Sequence, residues 1–387
     1  MRIKIASAFA LCLIACVSAF AEDTPIVDCG AGQSLNGTLS RMGKLQPATL
    51  KFKGTCTEYV VVDGFNHLTL QGLSGAAIQQ PATNPPASAP YVLFVGASRS
   101  VTLSGFAVLS LPSALSGIGI GKGSTDVLVQ NVSTDGAWGI VVTEASQVSL
   151  VNVTVNITSG YSAITVSGKS DVQIVGGLLH RPADSNWSAG LAVDSGHVTI
   201  RGITIRDMQQ SINIGSSGSV EVTNFGSTDV GVDVIIDNPA GTNFNGVIVS
   251  DGASLNLGVG SAKLRISNAG QWWGGDTGAV FVTNGSTLNA GSNLIISGSQ
   301  GQGVVVSNGS HAQFAGSSIT GGSHGGLVVV NMSTAGVDSS SPLTVISGNG
   351  TDLFCDSKSQ IAGGLNIANS TVVQCNNFLS GAYENLP

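Results

Sequence analysis

The sequence predicts an all-β chain wound into a stack of parallel coils, and three observations carry that expectation. The first is composition: 53 of the 387 residues are Gly and only 10% are charged. Long helices coat their exposed faces with Glu, Lys and Arg, so a chain this poor in charge and rich in Gly is built of short strands and turns. Gly has no period of three, which excludes collagen, and β-branched residues run throughout, which excludes disorder. The second observation is a phrase of small residue, apolar, any, apolar, then a polar turn. It recurs nine times, from Gly117-Ile118-Gly119-Ile120 to Gly326-Leu327-Val328-Val329. Its apolar starts at 118, 140, 164, 191, 212, 247, 280, 304 and 327 lie 21 to 35 residues apart, an elastic period of the kind that marks solenoids. The third is an alternating run that follows each phrase and ends in Gly or Asn: Gly105, Asn131, Asn152, Gly176, Gly202 and Asn224. Gly and Asn adopt positive φ most readily, so the series predicts one left-handed bend per coil.

In chain order, residues 1–21 read as a signal peptide, with Arg2 and Lys4, an apolar run over 5–17 and Ala19-Phe20-Ala21 as the cleavage site. A competing reading takes Leu13-Ile14-Ala15-Cys16 as a lipobox, in which Cys16 carries lipid and the protein is an outer-membrane lipoprotein. Both readings expect an exported chain, secreted or periplasmic, and no later run is apolar for long enough to make a transmembrane helix. Residues 22–56 read as an N-terminal cap with an amphipathic helix over 34–45, residues 57–352 as the coils, and residues 353–387 as a last coil and cap. Each coil takes three strands, the third as in Val153-Thr154-Val155, alternating apolar-in with polar-out. Cys29 and Cys56 lie near one end, Cys355 and Cys375 near the other. A local disulfide at each end is the simplest of the three connectivities, and export makes it chemically reasonable. Neither pair has the Cys-x2-Cys spacing of a zinc site.

These repeats, with the N-terminal phrase CGAGQSLNGTLSRM followed by TLKFKGTCTEYVVV, resemble the right-handed parallel β-helix (pectin-lyase-like) superfamily, which contains pectate lyases, polygalacturonases and many secreted repeat proteins. The resemblance covers nearly all of the chain after residue 21. It implies a single right-handed helix of about eleven to twelve coils, roughly 50–55 Å long. It also implies that members acting on polysaccharides use a groove beside the first strand of each coil, walled by the loops that lead into it.

Loops lengthen where function is added to a scaffold, and the long connections are 79–89, 179–188, 224–245 and 257–278. Trp138, Trp187, Trp272 and Trp273 each lie just before a first strand and could stack on sugar rings along such a groove. The plainer reading is that each indole anchors its own loop. Segment 180–210 holds Arg181, Asp184, Asp194, Arg201, Arg206 and Asp207, six charges in 31 residues. Stacked coils would set such carboxylates about 5 Å apart, with Asp135 about 10 Å from Asp184, spacings that glycoside hydrolysis tolerates. Asp184 and Asp207 would then be the acid/base pair of a hydrolase, with Asp194 on the strand between them. A lyase would take Arg181 or Arg206 as base and Ca²⁺ to neutralise a uronate; otherwise no cofactor is expected. The plainer reading is again solvated charges that pair with one another.

Departures from the known enzymes weigh more. The chain has no Asp-Asp pair, no Asn-Thr-Asp and no Gly-His-Gly, and Arg181-Pro182 lacks the second Arg of the Arg-x-Pro-x-x-Arg pattern. No catalytic residue carries over, so whether the chain is an enzyme stays open. Outward first-strand residues such as Gly119, Gly121, Thr143, Thr165, Ser167 and Gly215 are expected to form a flat, uncharged face. The expected function is a polysaccharide-binding or structural scaffold with a polysaccharide or cell-wall glycan as partner; the alternative is a polysaccharide lyase or glycoside hydrolase. The formal net charge is −7, and no Lys/Arg cluster follows the first four residues, which excludes a nucleic-acid backbone as partner and disfavours a strongly anionic substrate.

Overall fold

The computed structural model describes residues 25–83, 90–111, 116–158, 162–181, 188–223, 233–238, 245–258, 261–269, 278–338, 344–363, 373–375 and 378–380. Their strands pair in parallel into two sheets, one of 13 strands and one of 24. The smaller sheet stacks the first strand of every coil. Its inward row runs Val60, Leu93, Ile118, Ile140, Ile164, Leu191, Ile212, Val247, Val280, Val304, Leu327 and Leu353, and the strand Val373–Cys375 pairs as the thirteenth rung. All nine starts of the repeated phrase lie on this row. The larger sheet holds the second and third strands, and the whole is a right-handed parallel β-helix. Thirteen rungs at about 4.8 Å make a stack roughly 58 Å long, slightly more than the sequence predicts. The extra rungs escape the repeat because Tyr91–Gly96 and Thr351–Cys355 carry Val92 and Asp352 where the phrase has a small residue.

The small residue has a steric cause. A Cβ on Gly190, Gly246, Gly303 or Gly326 would run into a methyl of Ile205, Ile266, Ile319 or Ile346 and into the backbone carbonyl of the next coil. At this corner two successive residues face inward, as Ala163 with Ile164 and Ala279 with Val280, all fully buried. The residue before them is thereby turned outward. The bend predicted at Gly or Asn is present: Gly105, Asn131, Asn152, Gly176 and Gly202 have φ of +51° to +74°. Asn224 lies outside the described residues. In the middle coils the second and third strands pass through this bend as single strands, Gln147–Ile157, Asp171–His180 and His197–Arg206.

Inside, like residues stack on like. Each fully buried aliphatic side chain of the inward row contributes about 1.5–3 kcal/mol. A second buried row is polar: Ser98, Ser124, Ser146 and Ser170 in the early coils, Ser286, Ser310, Ser333 and Ser359 in the late ones. In six of these eight serines the hydroxyl accepts a backbone N–H of the coil before, as Ser124 Oγ does from Ser98 N at 3.3 Å and Ser310 Oγ from Ser286 N at 3.2 Å.

The helix at the N-terminal end covers Leu35–Leu39 and is shorter than the 34–45 predicted. Leu35 and Leu39 bury one turn, and no apolar residue extends that stripe until Met42, which is followed at once by Gly43. Ser34 caps the helix, and the Glu58 carboxylate accepts the N–H groups of Leu35 at 2.6 Å and Asn36 at 3.2 Å. Asn36 Oδ1 in turn takes the N–H of Val61 at 3.1 Å, which satisfies a donor on the edge of the first-strand sheet. Strands Ile26–Asp28, Ala48–Lys53 and Thr55–Thr57 already pair into the larger sheet, so coiling begins within the segment read as a cap. Disulfides Cys29–Cys56 and Cys355–Cys375 fasten the two ends. Residues 1–21, with the signal and lipobox readings, lie outside the described residues, among which no helix is long and apolar enough to cross a membrane.

Candidate functional site

Two places on the outer surface gather chemistry-bearing side chains. One is the row of residues that closes the third strands, where consecutive rungs carry Leu109, Asp135, Asn156, His180, Arg206 and Asp237. Of the charges singled out in the sequence, Asp135 and Arg206 are on this row and Arg181 and Asp207 directly follow two of its members, and the last rungs are taken up by ion pairs. His180 Nε2 lies 3.2 Å from Asp207 Oδ2, and Arg206 lies 3.2 Å from Asp237 Oδ2. Arg206 as a base would have to give up a proton that this carboxylate holds in place. Arg181 is only 5% exposed; it follows His180, which takes the outward position, so the chain turns Arg181 toward the protein. Asp135 is exposed, three rungs from Arg206.

Asp194 stands apart from this row. It ends strand Ala189–Asp194 on the rung of Ser167 and Gly215, five residues beyond the Ala189–Gln210 rung into which the Asp207 turn feeds. That is roughly 17 Å at strand rise, so it does not join Asp207 as the sequence reading expects. Asp184, Trp187, Trp272 and Trp273 lie outside the described residues. Trp138 is not in a loop: it is the first residue of strand Trp138–Val142, half-buried, and the inward pair Gly139–Ile140 leaves it on the outer side.

The second place was not singled out in the sequence. On the outer face of the first-strand sheet, Tyr91 and Phe94 stack with ring centroids 5.4 Å apart and planes 10° from parallel. They lie over the glycines of the next coil. A Cβ on Gly119 would fall against three carbons of the Tyr91 ring at nearly equal distances, so the face of the ring covers that glycine. Lys122 Nζ sits 5.4 Å from the Phe94 centroid and 3.3 Å from Asp63 Oδ1, reaching past Gly96 on the intervening rung. Glu144 completes the group: its Oε2 accepts the Lys122 backbone N–H at 2.6 Å. Burial, and secondarily the Glu144 charge, push the Tyr91 phenol above its ordinary range. Tyr91 shares a register row with Ser116 and Trp138, so two half-buried aromatics stand two rungs, roughly 10 Å, apart at one border of this face. The readable signal was Tyr-Val-Leu-Phe in one coil aligned with Gly-Ile-Gly in the next.

The sequence matches no protein-family model, and it has no match among curated proteins. Solved structures similar to the chain include PfbA, a surface adhesin of Streptococcus pneumoniae, at 12% identity over 87% of this chain and 93% of that one, with a TM-score of 0.41. The catalytic domain of a GH87 alpha-1,3-glucanase in complex with nigerose is 11% identical over 94% and 68%, TM-score 0.49. An endo-xylogalacturonan hydrolase from Aspergillus tubingensis is 13% identical over 86% and 92%, TM-score 0.35. The assignment as a parallel β-helix rests on the strand pairing described above.

Proposed function

We propose that the chain is an exported β-helix that binds a polysaccharide on the outer face of its first-strand sheet without cleaving it. The observation that supports this most is the Tyr91 ring laid over Gly119 with the buried Phe94 ring stacked against it, and Trp138 two rungs along the same border. A rigid aromatic ring face offers a pyranose ring apolar contact at small entropic cost. The hydrolase and lyase alternatives draw less support, because among the described residues the candidate carboxylates share no rung and Asp207 is engaged by His180. The binding reading requires no cofactor, and Ca²⁺ belongs only to the lyase alternative.

Affinity electrophoresis through gels containing soluble glucans, xylan, pectin, alginate and chitosan tests this, run beside assays for reducing ends and unsaturated products on the same polymers. At least one polymer should retard the chain, Tyr91→Ala should abolish the retardation, and no product should form. Retardation that survives Tyr91→Ala would remove the platform as the site. Cleavage of any polymer would replace the binding reading with the enzymatic one.

A further inference from the structure

Resting on that binding reading, we propose that the platform is selective for a basic glycan, a polymer of amino sugars bearing free ammonium groups, and that Glu144 is the residue that selects it. The face already holds an ammonium. Lys122 Nζ lies over the Phe94 ring and against Asp63, so an aromatic face and a carboxylate at this place accommodate a cation of that size. Asp63 is occupied by Lys122, whereas Glu144 is exposed and enters no ion pair among the described residues. It accepts the Lys122 N–H through Oε2, and its other oxygen accepts no hydrogen bond among them. That leaves one oxygen of a carboxylate set at Gly121, where the edge of the Phe94 ring also lies, with its charge felt at the Tyr91 phenol, open to a donor on a sugar laid along this face. An ammonium pairs with it, a neutral acetamide gives only a hydrogen bond, and a uronate is repelled. Lys169, in the corresponding turn of the next coil, makes no ion pair with Glu144.

Glu144 and Ala145 both hold positive φ, at 57° and 56°. Later coils place Asp251-Gly252, Asn284-Gly285 and Asn308-Gly309 in the equivalent left-handed turns, residues far better suited to it. Asn in place of Glu144 should therefore keep or raise stability, so that a loss of binding in that variant reports on the carboxylate and not on folding.

The decisive comparison is one oligosaccharide in two forms, glucosamine oligomers and the same oligomers fully N-acetylated, titrated calorimetrically into the full chain at low and high salt. The free-amine form should bind about three- to tenfold more tightly, and salt should erase the difference. Glu144→Gln and Glu144→Asn should bring the two forms to equal affinity with unchanged or higher thermal midpoints, and Tyr91→Ala should weaken both. Equal affinities in the unaltered chain, or a preference that persists in Glu144→Gln, overturns the proposal. Binding of a neutral glucan but of neither amino-sugar form overturns it while leaving the platform as a binding site; retention of no glycan at all removes both.

Discussion

The buried serine row allows a test in which one substitution, made twice, gives opposite results. Ser124 Oγ accepts the N–H of Ser98 at 3.3 Å and donates to the Gly121 carbonyl at 2.7 Å, and both serines are at most 3% exposed. Ser124→Ala strands the Ser98 N–H, which has no water to turn to. An unsatisfied buried donor costs about 1–3 kcal/mol, a factor of roughly 5 to 150 in the folding equilibrium. Ser286 occupies the same row in a later coil and is fully buried, but its Oγ has no hydrogen-bond partner. Its Ser310 contact runs through the backbone N–H, which alanine keeps. Ser286→Ala therefore removes a hydroxyl whose burial is uncompensated, and the change should be neutral or stabilising. Urea unfolding followed by circular dichroism reads both, provided the slope m stays constant, since a stacked solenoid can lose two-state behaviour. A loss of 1 kcal/mol or more in Ser286→Ala, or none in Ser124→Ala, would refute the view that this row is held by hydroxyl-to-amide bonds between coils.

Three further outcomes follow from the same geometry. Gly190→Val should cost about 1–3 kcal/mol or more by driving a side chain into Ile205 and the Ser211 carbonyl, while Gly215→Ala, whose Cβ would meet only Ser250 Oγ at 3.7 Å, should stay within about 0.5 kcal/mol in thermal melts. Replacing Cys355 and Cys375 by Ser opens a bridge between residues 20 apart and should cost about 3 kcal/mol; hydrogen exchange should show protection lost first over residues 351–363 and retained over 60–120, since coils unravel from the ends. The Tyr91 phenol should titrate above the ordinary tyrosine range when absorbance at alkaline pH is followed, and Glu144→Gln should bring it part of the way back. Because the fold favours the neutral phenol, this contribution to stability is fully present below about pH 10 and is lost as pH rises through the raised value.

The bends and the inward row are legible in the sequence because each repeats a local requirement, whereas the two disulfides follow only as the simplest of three pairings. A left-handed corner needs Gly or Asn at Gly105, Asn131 and Asn152, and a crowded inner corner needs a small residue at Gly190 or Gly303. The platform could not be read that way, since Tyr91 is placed by Gly119, 28 positions later, and only the register that pairs Phe94 with Gly119 makes the two neighbours. Proximity in sequence groups Asp194 with Asp207, yet the length of one first strand separates them. The phrase that begins at Gly139 sets Trp138 in the loop, whereas the strand begins one residue earlier on its outer side.

Stacking also accounts for the charge cluster that suggested catalysis. In a parallel coil, equivalent outward positions recur about every 4.8 Å, so a charge faces its own counterpart on the next rung, where a like charge is destabilising. One solution is to use few charges, and the chain has only 10%. The other is to place charges in compensating sets along the stack. Lys53 pairs with Asp28 on the adjacent rung, Arg206 with Asp237, and Arg265 with Asp233. Where His180 and Arg206 stand on consecutive rungs, Asp207 and Asp237 lie against them. The density of charge between 180 and 210 is thus what a solenoid needs in order to carry any charge at neighbouring rungs. Glu144 does not fit this pattern: it is exposed, held in a turn ill suited to it, and set at Gly121 with the edge of the Phe94 ring, in no ion pair among the described residues. A charge that stacking does not require, at a position the backbone disfavours, is where selection for a ligand is the more economical explanation.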